Sequence, residues 1–136
     1  MSLRLSLPII VACAMLAGCG GDEPAAVTTA CPAAPPELAS PPALPEGYPS
    51  PSEVTYTHDL EAGPARIVRG YWRGDIDAAF DGYKDAFEES SFEITKEEKE
   101  SVDAEVNFAG SGVSGQVKLL QTCRDRTDVS ITVRPE

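Results

Sequence analysis

Little in this chain suits the commoner forms of catalysis. It has one histidine, His58, so it holds neither a His-Glu-x-x-His motif nor a pair of imidazoles for zinc. No Cys-x-x-Cys pair and no Gly-x-Ser-x-Gly nucleophile motif occurs. His58 as a general base would need a nucleophile and an orienting partner, and the sequence signals neither. The expectation is a non-enzyme with no catalytic residue, no metal ligand and no cofactor. Bases are scarce as well. Eleven Lys and Arg stand against 22 Asp and Glu, a formal charge of −11, which makes nucleic acid a poor partner. No apolar run reaches the ~20 residues of a membrane-spanning helix, and there is no internal repeat.

What is present begins with a short apolar run. Residues 5–17 follow the lone base Arg4, and their length suits the hydrophobic region of an export signal. The run closes on Leu16-Ala17-Gly18-Cys19. This tetrapeptide resembles the lipobox of bacterial lipoproteins. The resemblance implies that a diacylglycerol is joined to the Cys19 thiol and that residues 1–18 are removed as a signal peptide. It also implies that the new amine is acylated, by palmitate for example. The membrane would then be reached through lipid on Cys19. Two or three chains hold where one is marginal, each buried methylene contributing about 0.8 kcal/mol. Gly20, not aspartate, follows Cys19, which resembles outer-membrane lipoproteins facing the periplasm of a diderm cell. The expected location is the cell envelope.

Loss of residues 1–18 removes Arg4 and leaves ten bases against 22 acids, a side-chain charge of −12. Anionic headgroups are repelled by such a surface, and a basic protein is the charge-matched partner. Of the four cysteines, Cys31 and Cys123 remain free of the signal and the lipid. An exported even pair is expected to form a disulfide. It would close a loop of 92 residues, worth about 4 to 5 kcal/mol in the chain-entropy model. Residues 19–52 read as the lipidated cysteine and a tether, with nine prolines between Gly20 and Ser52. Proline removes backbone donors and fixes φ, so neither helix nor sheet propagates, and an extended spacer is expected. A bridged Cys31 would leave only its first part free.

Residues 53–136 read as one small domain. EVTYTHD is a strand with Val54, Tyr56 and His58 on one face, Gly63-Pro64 is a turn, and ARIVRGYW is a second strand. Asp75 is the expected N-cap of a helix whose apolar stripe is Ile76, Ala79, Phe80, Tyr83 and Phe87, and Ser90-Ser91 ends it. Four strands follow, marked by Phe92 and Ile94, by Val102 to Phe108 in alternation, by Val117 and Leu119, and by Val129, Ile131 and Val133. The fold class expected is α+β in the order ββαββββ. It is a small, mostly antiparallel sheet with one helix packed across one face, the last four strands forming a meander.

Four stretches invite a chemical reading. GSGVSG, from Gly110, matches Gly-x-Gly-x-x-Gly, but a strand rather than a helix follows it, so a hairpin loop is expected instead of a phosphate cradle. DAAFDGYKDAFE, from Asp77, nearly matches a calcium loop. Ala79 stands where a ligand is needed and the stretch carries the helical stripe, so the acids read as a wet helix face. RIVRGYWRG clusters arginines in an acidic protein: Arg69, Tyr71 and Arg73 share one strand face, and Trp72 lies on the other. These four are the candidate binding residues for an envelope glycan or a peptide, against a reading with Trp72 in the core and the arginines solvated. Glu93, Glu97, Glu98, Glu100, Asp103 and Glu105 make an acidic hairpin for a basic partner.

The expected function is that of a small, non-catalytic, lipid-anchored envelope protein acting as a protein-interaction module. Alternatives are an inhibitor of a cationic envelope hydrolase, and a periplasmic glycan or peptide binder using the arginine–aromatic strand. A further alternative is an enzyme with paired carboxylates, for which no spacing in the sequence argues. An exposed Trp72 would favour the glycan binder and a buried one would weaken it.

Overall fold

The computed structural model describes residues 27–136. The expected signal peptide and the lipid site Cys19 lie outside the described residues. The elements run β1 (Val54–Ala62), β2 (Ala65–Arg73), α1 (Ile76–Glu88), β3 (Glu93–Lys99), β4 (Asp103–Gly110), β5 (Val113–Cys123) and β6 (Arg126–Pro135). They build the α+β fold that the pattern of apolar residues implies. All six strands lie in one sheet in the order β1-β2-β6-β5-β4-β3, every neighbouring pair antiparallel. β3 to β6 form a meander, and the β1–β2 hairpin joins its β6 edge.

Two of the four hairpin turns follow from their glycines. Gly63 takes φ 61 between the paired residues Ala62 and Ala65, as a II′ turn asks of its first central residue. Ser111 and Gly112 take φ 53 and 73 between the paired Gly110 and Val113, the two positive values of a I′ turn. The glycine-rich motif is thus a tight two-residue turn between strands.

The helix crosses one face of the sheet. Asp75 caps it, its carboxylate accepting the Ala78 N–H at 2.9 Å, and Ser90 closes the far end by donating to the Phe87 carbonyl at 2.8 Å. Ile76, Ala79, Phe80, Tyr83 and Phe87 are all buried. They meet Trp72, Val106, Phe108, Val117, Leu119 and Ile131 from the sheet. Tyr48, Phe87, Phe92 and Phe108 pack ring against ring at 5.1 to 5.9 Å between centroids.

The proline-rich segment packs on the domain. Cys31 is bonded to Cys123, and from there the chain runs as a strap around the sheet. Arg124 N–H donates to the Thr29 carbonyl at 2.9 Å and Arg126 donates to the Pro32 carbonyl at 3.1 Å. Leu38 N–H donates to the Tyr56 carbonyl on the edge strand β1 at 2.8 Å, and Ala43 N–H to the Asp59 carboxylate at 2.8 Å. Leu44 and Tyr48 then join the core. The sequence assigns these residues to the tether; the packing counts them with the domain, because nine prolines forbid regular structure without forbidding apolar contact. Burial pushes the Tyr48 and Tyr83 hydroxyls well above the usual phenolic range.

Candidate functional site

Only one face of the sheet carries the helix. On β2, Val68, Gly70 and Trp72 point to it, and Ile67, Arg69, Tyr71 and Arg73 point to the open side. Trp72 is 5 % exposed and its ring lies against Gly82 of the helix. It therefore drops out of the candidate binding set. Tyr71 is 7 % exposed although it faces away from the helix. The Arg126 guanidinium stands 5.8 Å from its ring, and the strap at Cys31 and Pro32 borders the same small cavity of about 240 Å³. Arg69 and Arg73 remain exposed, and neither has an ion-pair partner among the described residues.

The register places Arg69 in a row that crosses the whole sheet. His58 of β1 pairs with Arg69 of β2, Arg69 with Ser130 of β6, Ser130 with Lys118 of β5, Lys118 with Glu105 of β4, and Glu105 with Glu98 of β3. Residues in such a row point to the same side and stand ~5 Å from the next. The row is basic at its β1 end and acidic at its β3 end. His58 reaches this side because a bulge at Thr57 breaks the alternation of β1. One extra residue reverses every later side chain on a strand, so His58 parts from Val54 and Tyr56, with which simple alternation groups it. The Thr57 hydroxyl fixes the bulge through the Arg69 carbonyl at 3.3 Å and lies 2.9 Å from His58 Nδ1.

A cavity of about 310 Å³ opens over the basic half of this row. Arg69, Ser130 and Lys118 line its floor, Leu120 and Asp128 the next row, and Pro35 of the strap one wall. Leu120 is 40 % exposed, one of two large apolar side chains so open among the described residues. A larger cavity of about 510 Å³ lies between the helix end and β3. Its lysines are already engaged, Lys84 with Glu97 at 2.9 Å and Lys96 with Glu98 at 3.1 Å, so it presents no free base.

The acidic hairpin is less acidic in three dimensions than in one. Of its six carboxylates, Glu97 and Glu98 pair with those two lysines, and Asp103 and Glu105 share Lys118 at 3.5 and 3.3 Å. Each such surface pair adds only about 0 to 1 kcal/mol of stability, but each removes a charge from the field a partner would feel. The Glu105 carboxylate, and Asp103 after it, hold the Lys118 ammonium above its ordinary range. Glu93 and Glu100 of the hairpin have no ion-pair partner among the described residues, and neither do Asp81, Asp85, Glu88 and Glu89 on the helix, all of them exposed. The calcium-loop look-alike forms that helix. Among the described residues no group of three or more His, Cys, Asp or Glu is arranged to hold a metal ion.

Sequence reasoning names Arg69, Arg73 and Tyr71 for this face and misses Lys118, Leu120, Asp128 and Ser130. They come to Arg69 because β2 pairs with β6, two strands whose nearest paired residues, Arg73 and Arg126, are 53 positions apart in the chain. A strand's alternation shows which side its residues share, but not which strand lies next to it. No protein-family model matches this chain, and no curated protein or solved structure matches it either.

Proposed function

We propose that the chain is a non-catalytic, lipid-anchored protein of the bacterial cell envelope that holds a partner on the open face of its sheet. The observation that carries this reading is the pair Arg69 and Arg73. Among the described residues both stand exposed and without an ion-pair partner, on the face opposite the helix, in a protein with twice as many acids as bases. A free guanidinium favours a carboxylate and recognises it with two parallel hydrogen bonds. The partner supported is thus one with an acidic segment. The hydrolase inhibitor is weakened because four of the six hairpin acids are engaged with lysines. Glycan stacking on Trp72 loses its support because that ring is in the core.

The test is cross-linking in native envelopes, followed by mass spectrometry of what is captured. Capture of one stoichiometric protein, lost in the Arg69→Glu, Arg73→Glu double variant, is the expected result. Capture that survives this double variant but fails when Glu97, Glu98, Asp103 and Glu105 become Gln would return the interface to the hairpin and sink the reading.

A further inference from the structure

We propose that the cleft over Arg69, Ser130 and Lys118 binds a small aliphatic carboxylate: the acid on Arg69, the apolar body on Leu120. The proposal rests on the reading of the open face as the interaction surface and names the chemistry by which it takes hold.

The cleft is a built site with a cationic end and an apolar end. At the cationic end, Arg69 has no acid of its own, and Lys118 stands across Ser130 from it in the same row. The Ser130 hydroxyl between them is a third donor, and His58 borders the row beyond Arg69. At the apolar end, Leu120 lies two residues along β5 from Lys118, on the same side. That step is ~7 Å along the strand, and Arg69 stands two strands, ~10 Å, across from Lys118; the long arginine side chain can take up most of that gap, which leaves room for a carboxylate joined directly to a branched alkyl group. Pro35 of the strap borders the cleft, and the Cys31–Cys123 bond pins the strap four residues before it. The volume, about 310 Å³, is at the small end for ligand sites and suits one such body.

Charge selects the carboxylate over a phosphate. Lys118 is already shared by Asp103 and Glu105, and Asp128 lies in the cleft wall. Of the lysine and arginine in the cleft, Arg69 is the one without an ion-pair partner among the described residues, so a single negative group is held there, while the Asp128 carboxylate repels a second and disfavours a dianion. A planar guanidinium also fits the planar carboxylate edge to edge.

An aliphatic carboxylate has two sources here, a free short-chain acid and the C-terminal residue of a peptide. Methyl NMR of the full chain, leucine-labelled and held in lipid nanodiscs, separates them. The probes are isovalerate, N-acetyl-leucine, isovaleramide and inorganic phosphate. Expected are saturable shifts of the Leu120 methyls with both acids, none with the amide, and Leu60 methyls unmoved. Tighter binding of N-acetyl-leucine points to a peptide terminus, and tighter binding of isovalerate to a free acid. Arg69→Gln should weaken the acids by about tenfold or more, as loss of a charge-assisted contact does. Arg69→Lys should recover only part of this. The amide shifting Leu120 as strongly as the acids would overturn the proposal, as would phosphate competing on equal terms or no saturable shift at all. If the acids fail while partner capture still depends on Arg69 and Arg73, the site proposal falls and the interaction reading stands. If the acids bind and no partner is captured, the site stands and the interaction reading falls.

Discussion

Trp72 and Gly82 show how closely this core is fitted. A Cβ built on Gly82 would stand 2.3 Å from Trp72 Cη2, a distance at which one of the two must move. Trp72 is pinned, buried under the helix. Alanine in a helix interior is worth about 1 kcal/mol over glycine, but overpacking a tight site costs about 1 to 3 kcal/mol. The second effect is the larger, so Gly82→Ala should lower stability by about 1 kcal/mol where propensity alone says it should rise, and urea unfolding decides between them. Asp59 gives a second test. Its carboxylate accepts from Ala43 N–H of the strap and from Arg66, and these bonds, Ala43's foremost, hold it below the usual carboxylate range. A depressed folded value means stability that is present above the unfolded pKa of about 3.9 and lost as pH falls through the folded one. Acidification below about pH 4 should therefore loosen the strap. Asp59→Asn should cost about 1 kcal/mol at neutral pH and flatten the acid limb of the stability profile. An unchanged acid limb in that variant would show that Asp59 is not the group responsible.

At the scale of elements, the helix and the meander were open to sequence reasoning and the strap was not. Ile76, Ala79, Phe80, Tyr83 and Phe87 recur at helical spacing, and all five are buried. Asp75 reads as a cap and acts as one. The alternation in β4 and β6 maps onto burial residue by residue. The strap has no period to read. Its proline content says only that it is extended, and its two anchors, a disulfide to β5 and Tyr48 in the core, are contacts with residues far away in the chain. The bulge at Thr57 is just as silent, since Thr is ordinary in a strand. These anchors are not equal. The disulfide closes 92 residues, and its removal in Cys31→Ser, Cys123→Ser should cost about 4 to 5 kcal/mol. Tyr48 should keep the far end of the strap seated. Proteolysis should then cut the double variant before residue 38 and spare the Leu44 to Tyr48 stretch. Equal cutting on both sides would mean that the strap leaves the sheet as one piece.

Across the whole molecule, charge and attachment are arranged about the same sheet. The outer side of the helix exposes Asp81, Asp85, Glu88 and Glu89, and the opposite side of the sheet carries Arg69, Arg73, Arg126 and Arg134. A chain with a formal charge of −11 thus presents a basic strip on β2 and β6, and steering of an acidic partner to it would weaken with salt. The strap enters at that strip, because Cys31 is fixed beside Arg126 and Arg73. Cys31 lies twelve positions after Cys19, a span of at most about 43 Å when fully extended. If Cys19 carries the lipid, the arginine end of the sheet is held within that distance of the bilayer, while bare headgroups repel the protein as a whole. Cys19→Ser tests the anchor directly. The variant should lose incorporation of labelled palmitate and move from the membrane pellet to the soluble fraction. Its Tm should not change, because the strap's anchors among the described residues, from Thr28 on, do not involve residue 19. A Cys19→Ser chain that still pellets with membranes would place the attachment elsewhere, with the arginine strip the next surface to neutralise.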